Sequence, residues 1–334
     1  MICDFFHEVT VFFHFPNKRI YWSLIHGRRG CVGGFDGSFS GLYVAERDAN
    51  MPHRIRQATW LAPEVKRFTV EAPHVVRHCG PGQFVIVRVV SEGERIPLTI
   101  AMSDKNAGTI DLIVQAVGAT TRRMCSLNAG DSFSDVVGPL GRATEIENVG
   151  HAVIIGGGVG TAVIFPQAGA LKAKGNRVSA IIGGRSKPYV ILEQELSEIC
   201  DAVYPCTDDG SYGFKGFVTD RLKKLVEETD MPVKLALCAG PVPMMRAIAK
   251  LTQPLGIHTV ASLNPIMVDG TGMCGGCRVQ VEGAMKFACV DGPEFDAHKV
   301  DFRELSDRLT TYRPHESRAN EQHPCQLSGN IESH

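Results

Sequence analysis

The chain has almost no net charge and no block of one sign. Its 334 residues carry 35 Lys and Arg against 36 Asp and Glu, a formal net charge of −1. That balance argues against a nucleic-acid partner, which needs a basic face. Long apolar runs are also missing. The opening MICDFFHEVTVFFHF is broken by Asp4, His7 and Glu8 and has no basic leading segment, so it reads neither as a secretory signal nor as a bilayer span. The uncharged run 149–171 holds six glycines, Pro166, Gln167 and His151, which point to a strand, a turn and a helix instead of a membrane span. There is no Ser/His/Asp pattern and no spaced pair of carboxylates that would suggest hydrolysis. Asp208 and Asp209 are adjacent and fit turn or ribose contacts better than an acid–base pair.

Cysteine, by contrast, is plentiful, with 11 residues. With no secretory signal, this implies a reducing compartment and a cytoplasmic location, where clustered thiols bind metal more often than they form disulfides. Cys79, Cys125, Cys200, Cys206 and Cys325 fall in no metal-ligand spacing and read as ordinary thiols.

The length suits two or three domains. Residues 1–50 hold ten of the 24 aromatic residues and show no strand or helix period. They read as an atypical N-terminal extension or a mis-assigned start, with a partner-binding arm as the rival. Residues 51–145 show short Val/Ile/Thr-rich runs, RFTVEA, QFVIVRVV, RIPLTIA and TIDLIVQAV, separated by Gly/Pro/Asn turns, the pattern of a small β-barrel. Residues 146–260 alternate strands (HAVIIG, RVSAIIGG, DAVYPCT, KLALCAG) with helices near 160–174, 216–229 and 242–253, as in a parallel-sheet α/β domain. Residues 261–315 form a Gly/Cys-rich segment and a short amphipathic helix, and the polar tail 316–334 is expected to be disordered.

The nucleotide signal is a hydrophobic strand running into Gly156-Gly157-Gly158-Val159-Gly160-Thr161 and then a helix. Glycines let the backbone approach a pyrophosphate, and the helix N-terminus favours its charge. Tight packing between strand and helix uses glycine too, and Thr161 stands where a strict G-x-G-x-x-G has its last glycine. The second strand ends in Gly183-Gly184-Arg185, where an NAD-binding fold usually has an acidic residue. Arg185 can meet the 2′-phosphate of NADP, lie over the adenine, or be a solvated basic turn. Two further strand ends, Asp208-Asp209 and Cys238-Ala239-Gly240-Pro241, stand where open α/β sheets bind ligands. The Cys238 thiol there is expected to reach the nicotinamide, against the alternative of a small buried hydrophobe.

In VDGTGMCGGC and the following residues, Asp269, Cys274, Cys277 and Cys289 are spaced D-x4-C-x2-C-x11-C. A plant-type iron–sulfur loop reads C-x4-C-x2-C with a more distant cysteine, so Asp269 stands in register with its first ligand. A carboxylate with three thiolates suits iron–sulfur, and structural zinc is the rival, although Cys289 lacks a second knuckle partner.

Together these motifs resemble the ferredoxin–NADP reductase superfamily. The cysteine-bearing C-terminus places the resemblance, over roughly residues 52–315, with the electron-transfer subunit of dihydroorotate dehydrogenase. The resemblance extends to that subunit's close relative, the small subunit of NADH-dependent ferredoxin–NADP oxidoreductase, also called sulfide dehydrogenase. The resemblance implies FAD in the barrel, with Pro97 and Leu98 against the flavin, Thr99 supplying a hydroxyl near N5 as a catalytic contact alongside Cys238, and Gly118, Thr120 and Thr121 at the phosphates. The superfamily's arginine is shifted to Arg95, on the other face of its strand. The resemblance also implies NAD(P)H at the glycine turn and a [2Fe–2S] cluster on Asp269, Cys274, Cys277 and Cys289. The expected partner is a larger flavoprotein or iron–sulfur subunit, with ferredoxin as a further candidate. The dihydroorotate type carries four cysteines, so Asp269 favours the ferredoxin–NADP oxidoreductase type.

Overall fold

A computed structural model describes residues 53–311 and Ser317. The expected extension 1–50 and, Ser317 apart, the expected disordered tail 316–334 lie outside the described residues.

The first region is all antiparallel. Strands β1 (His53–Ala62), β2 (Val65–Glu71), β3 (Phe84–Arg88), β4 (Arg95–Thr99), β5 (Met102–Asp104), β6 (Thr109–Gln115), β7 (Ser132–Phe133) and β8 (Asp135–Leu140) form two sheets. Their orders are β5-β6-β2-β1-β7 and β4-β3-β8. The small barrel expected from the sequence thus takes the form of a five-stranded and a three-stranded sheet around one core. That core contains Phe68, Val85, Val87, Ile110, Leu112 and Phe133. Phe68 and Phe133 meet edge to face at 5.8 Å, a geometry worth ~1 kcal/mol beyond its buried area. Two short helices interrupt the strands, α1 (Pro73–Val76) and α2 (Ala119–Cys125). Lys66 is 3% exposed and donates to the carbonyls of Cys125 at 3.0 Å and Leu127 at 2.7 Å. These oxygens end α2, so a buried cation meets the negative end of the helix and fixes where its other end lies.

The second region is parallel. Strands β9 (His151–Gly157), β10 (Arg177–Gly184), β11 (Ala202–Thr207), β12 (Phe214–Lys215), β13 (Val233–Ala239) and β14 (His258–Ser262) lie in the order β12-β11-β10-β9-β13-β14. Helices α3 (Gly160–Ala173), α4 (Glu193–Ile199), α5 (Val218–Glu228) and α6 (Val242–Thr252) cover both faces. Side-chain alternation assigns the faces. Val153, Ile155, Ala236 and Cys238 pack toward α5 and α6, while Ala152, Ile154, Leu235 and Leu237 pack toward α3 and α4. The run 149–171 therefore becomes β9, a glycine turn and α3. No helix among the described residues is long and apolar enough to cross a membrane.

The sequence reading missed α4. It has seven residues, one fully buried side chain, Leu196, and a left-handed N-cap at Leu192 (φ 57°) in place of a polar cap. It thus lacks a polar cap, and its only start signal is the acidic pair Glu193 and Glu195 in the first turn.

The C-terminal segment adds a hairpin, β15 (Arg278–Val281) with β16 (Ala284–Phe287), a single turn α7 (Ala288–Asp291), strand β17 (Glu294–Asp296) and helix α8 (Phe302–Thr310). Asp301 caps α8 by accepting from the amides of Arg303 and Glu304 at 2.9 and 3.0 Å. Strand β17 pairs antiparallel with β14 and completes a seven-stranded sheet. The segment is also tied to the antiparallel region, where the Arg142 amide donates to the Gly292 carbonyl at 2.7 Å.

Glu294 joins all three regions. Its Oε1 accepts from the Thr144 hydroxyl at 3.0 Å and from Gln167 of α3 at 2.7 Å. Burial holds this carboxyl above the usual glutamate range, with the two bonds partly offsetting the effect. A raised folded pKa gives stability that is fully present below the unfolded value and lost as pH rises through the folded one. Glu294→Gln keeps the accepting oxygen and cannot ionise. Its melting temperature should therefore gain on wild type as pH climbs from the ordinary glutamate range, by ~2–4 °C per 1 kcal/mol recovered. Thermal unfolding across pH measures this, and a gap independent of pH would show that Glu294 does not ionise against burial.

Candidate functional site

In an open α/β sheet, ligands sit beyond the carboxyl ends of the strands where the strand order reverses. Here that point lies between β9 and β13, and a cleft of about 990 Å³ opens there. All three regions line it. From the antiparallel region come Pro97, Leu98 and Thr99 of β4 and Thr121 of α2. From the parallel sheet come Gly157, Gly158 and Gly160, then Arg185, Asp208, Gly240 and Pro241. From the C-terminal segment come Asn264, Pro265, Met267 and Pro293. The structure thus brings together most of the flavin and nucleotide residues expected from the sequence.

The glycine turn does two jobs. A Cβ on Gly156 would stand 2.5 Å from Thr161 Cα, and one on Gly160 would stand 2.6 Å from the Ala239 carbonyl carbon. Gly156 lets the start of α3 fold back over its own strand, and Gly160 lets the turns after β9 and β13 pass each other. Gly158 is different, with φ +56° and nothing within 4 Å of its Cβ position. It leaves open space beside a backbone that can approach a phosphate.

Several expected residues lie outside the lining. Gly156 and Thr161 are part of the packing beneath the turn, with Thr161 1% exposed. Thr120 turns outward to bond Glu94. Gly118 is the N-cap of α2 and its amide donates to Thr121 Oγ1 at 2.9 Å. Asp209 is exposed in the turn, where it accepts from the Ser211 amide at 2.9 Å. Arg95 is exposed on β4.

The expectation for Cys238 needs correction. Strand parity turns its side chain into the core beneath α6, fully buried, and Ala239 reaches the cleft in its place. Burial pushes this thiol up to about 12, so it is a neutral core group.

Asn264, Pro265 and Met267 were missed by the sequence reading. The available signal was positional, because HTVAS is a further parallel strand and they follow its carboxyl end. Tyr189, which also lines the cleft, follows the carboxyl end of β10 and carried the same signal.

The cysteine loop starts two residues after Met267. Positive φ at Gly270 (75°), Gly272 (84°) and Gly275 (65°) lets it wrap tightly. Asp269 accepts from the amides of Thr271 at 2.9 Å and Cys274 at 3.0 Å, and these bonds, Thr271 first, hold its carboxyl below the usual range. Cys277 and Cys289 are buried with their sulfurs 3.2 Å apart. Burial first and Cys277 second push the Cys289 thiol up to about 12. Cys274 is exposed, and the four residues do not close into one metal-binding group among the described residues. The donor set nevertheless fits iron–sulfur chemistry. One buried thiol pair lies on one side, and a carboxylate beside a thiol on a glycine loop lies on the other.

Comparison with known proteins agrees with this layout. Residues 52–144 match the family described as oxidoreductase FAD-binding domain. Residues 264–301 match the iron-sulfur cluster binding domain of dihydroorotate dehydrogenase B. The dihydroorotate dehydrogenase B (NAD(+)) electron transfer subunit homolog of Thermotoga maritima is 46% identical over 256 residues, 77% of this chain and 90% of that relative. The chain belongs to the family of dihydroorotate dehydrogenase B electron transfer subunits. An uncharacterized Clostridium beijerinckii protein is 45% identical over 257 residues, covering 75% of this chain and 87% of that one. Among solved structures, a chain of the NADH-dependent reduced ferredoxin-NADP oxidoreductase superposes with a TM-score of 0.77. It is 43% identical, covering 82% of this chain and 98% of that chain. Like other members of its family, this chain is therefore an oxidoreductase subunit with an FAD-binding and an iron–sulfur-binding domain.

The two roles of glycine separate by mutation. Gly160→Ala must displace backbone at Ala239 and should cost ~2–3 kcal/mol. Gly158→Ala meets open space and should cost only the ~1 kcal/mol of a left-handed backbone. Denaturant unfolding of both variants measures the difference, and equal losses would remove the distinction.

Proposed function

We propose that this chain is the electron-transfer subunit of a larger oxidoreductase of the NADH-dependent ferredoxin–NADP oxidoreductase type. It would take reducing equivalents from a nicotinamide nucleotide and deliver them singly to a larger flavoprotein or iron–sulfur partner, with ferredoxin as a further acceptor of the complex. A bound FAD supplies conversion between hydride and single electrons, and a bound [2Fe–2S] cluster supplies the one-electron outlet. The observation that carries this reading is the continuity of the lining: Met267 faces the cleft and Asp269 follows two residues later. One short segment therefore touches both sites.

The chain's own residues supply position and exclusion. Pro97 and Leu98 offer an apolar wall to the flavin ring, and Thr99 offers a hydroxyl at its edge. Thr121 would border the flavin phosphates by its place at the start of α2, its hydroxyl being taken up there by the Val117 and Gly118 amides and the Gly118 carbonyl. The open space beside Gly158, whose own amide is bonded to the Gly183 carbonyl, would admit the nucleotide pyrophosphate, and the Asp208 carboxylate suits its ribose hydroxyls. Asp269, Cys274, Cys277 and Cys289 would hold the cluster. The hydride path needs no general acid or base, which agrees with the neutral, buried Cys238. Asp269 in the register of a cysteine is what supports this reading over the dihydroorotate-oxidising one; identities of 43% to the ferredoxin-NADP oxidoreductase chain and 46% to the dihydroorotate dehydrogenase B homolog fit both.

Anaerobic purification of the full chain should yield about one FAD and about two irons per chain. A colourless protein containing zinc would overturn the reading. Asp269→Cys should keep the cluster and lower its midpoint potential, because a thiolate donates more strongly than a carboxylate. Asp269→Ala should lose iron to a chelator about ten-fold faster or more. Electron paramagnetic resonance with redox titration checks both, and an unchanged Ala variant would remove Asp269 from the ligand set.

A further inference from the structure

At the far end of the cleft from the cysteine loop, Arg185 occupies the place where a dinucleotide fold usually presents an acidic residue to the ribose. It is not a free cation. Its guanidinium lies over the Tyr189 ring, 3.7 Å from the centroid. Its Nη2 also stands 3.3 Å from Oε2 of Glu64. Glu64 comes from the turn between β1 and β2, 121 residues away in sequence. That turn is itself fixed, since the Glu64 carbonyl accepts from the Ala116 amide at 2.8 Å. A rigid point of the antiparallel region thus presents a carboxylate to the one arginine that lines the nucleotide end of the cleft.

The surrounding charges point the same way. Asp208 lines the cleft beside Arg185, with its amide bonded to the Gly184 carbonyl at 3.2 Å. Asp209 follows it, its amide donating to the Arg185 carbonyl at 3.3 Å. Lys187, the other cation of this turn, lies over the Tyr212 ring at 5.2 Å. Glu193 accepts from the Tyr212 hydroxyl at 2.9 Å, and the Lys215 side chain packs at Gly210, so four carboxylates meet three cations around this turn, and Arg185 and Lys187 both face aromatic rings. A 2′-phosphate adds about two negative charges and would have to displace Glu64 to reach Arg185. A ribose 2′-hydroxyl needs an acceptor, and Asp208 is one.

We propose that Glu64 sets the nucleotide preference of this subunit: by pairing with Arg185 it keeps that side chain as a flat platform over Tyr189 and denies it to a 2′-phosphate, so that the cleft takes NAD(H) over NADP(H). This rests on the nucleotide-site reading above. Glu64 acts through Arg185 and is a positioning residue. Its partly exposed ion pair is too weak to matter much for folding, so its substitutions test selectivity and not stability.

Calorimetric titration of the full, cofactor-loaded chain with NAD⁺ and NADP⁺ decides the matter. Wild type should bind NAD⁺ about ten-fold more tightly or better. Glu64→Gln should narrow that ratio about five-fold by gaining affinity for NADP⁺, and Glu64→Asp should stay close to wild type. In an Arg185→Ala background, Glu64→Gln should leave the ratio where Arg185→Ala alone puts it, because the effect passes through the arginine. Equal or tighter binding of NADP⁺ by wild type would overturn the proposal. So would an undiminished effect of Glu64→Gln without Arg185, which would mean a general field and not a pair. Binding of neither nucleotide would overturn the nucleotide-site reading as well.

Discussion

Strand β3 is buried on both faces, and the placement of every site follows from that. Val85 and Val87 belong to the core of the antiparallel region, while Phe84 and Ile86 belong to the core that runs under the parallel sheet and the cysteine loop. At ~1.5–3 kcal/mol per fully buried large apolar side chain, neither face can be given up without loss. Its neighbour β4 presents Pro97, Leu98 and Thr99 to the cleft. Pro97 and Thr99 pair with Ile86 and Phe84 and share their face, where, with Leu140, Ile86 also takes the backbone of Gly270, at which a Cβ would press against both. A flavin wall and a metal-loop wall are thus neighbouring parts of one surface. Their spacing is set by backbone geometry and not by flexible side chains.

The parallel sheet contributes through the close passage of two turns. Gly160 and Ala239 nearly touch, so the glycine turn and the turn before α6 form one floor, and the cleft opens above it. A floor made of two backbone turns in contact is rigid, which suits a subunit whose proposed task is to hold reactants in line. The cost is that some glycines of the nucleotide motif are spent on packing.

Much of this was legible in the sequence. The strands with strong period and the helices at 160–173, 218–228 and 242–252 were readable because apolar spacing and glycine punctuation agreed. The cysteine loop was readable because ligand spacing is local. What escaped depended on facing or on distant contacts. In β13 both faces are apolar, so the run KLALCAG could not say which way Cys238 points. Helix α4 is too short and too poorly capped to announce itself. Glu64 sits in an ordinary Pro-Glu turn, and nothing within a window of sequence could link it to Arg185. Asn264 and Met267 could have been found by carrying the strand-end rule to the last parallel strand.

The pairing of β17 with β14 has a consequence for how the molecule is made. Strand β14 is the last parallel strand on its side of the sheet, and its open hydrogen-bonding edge is filled by residues 293–297, on the far side of the metal-binding loop. Until that stretch has been synthesised and folded back, β14 offers a bare template to any other chain. The loop that would carry the metal thus also carries the strand that seals the sheet. Orderly maturation of that loop and protection from edge-to-edge association are the same event.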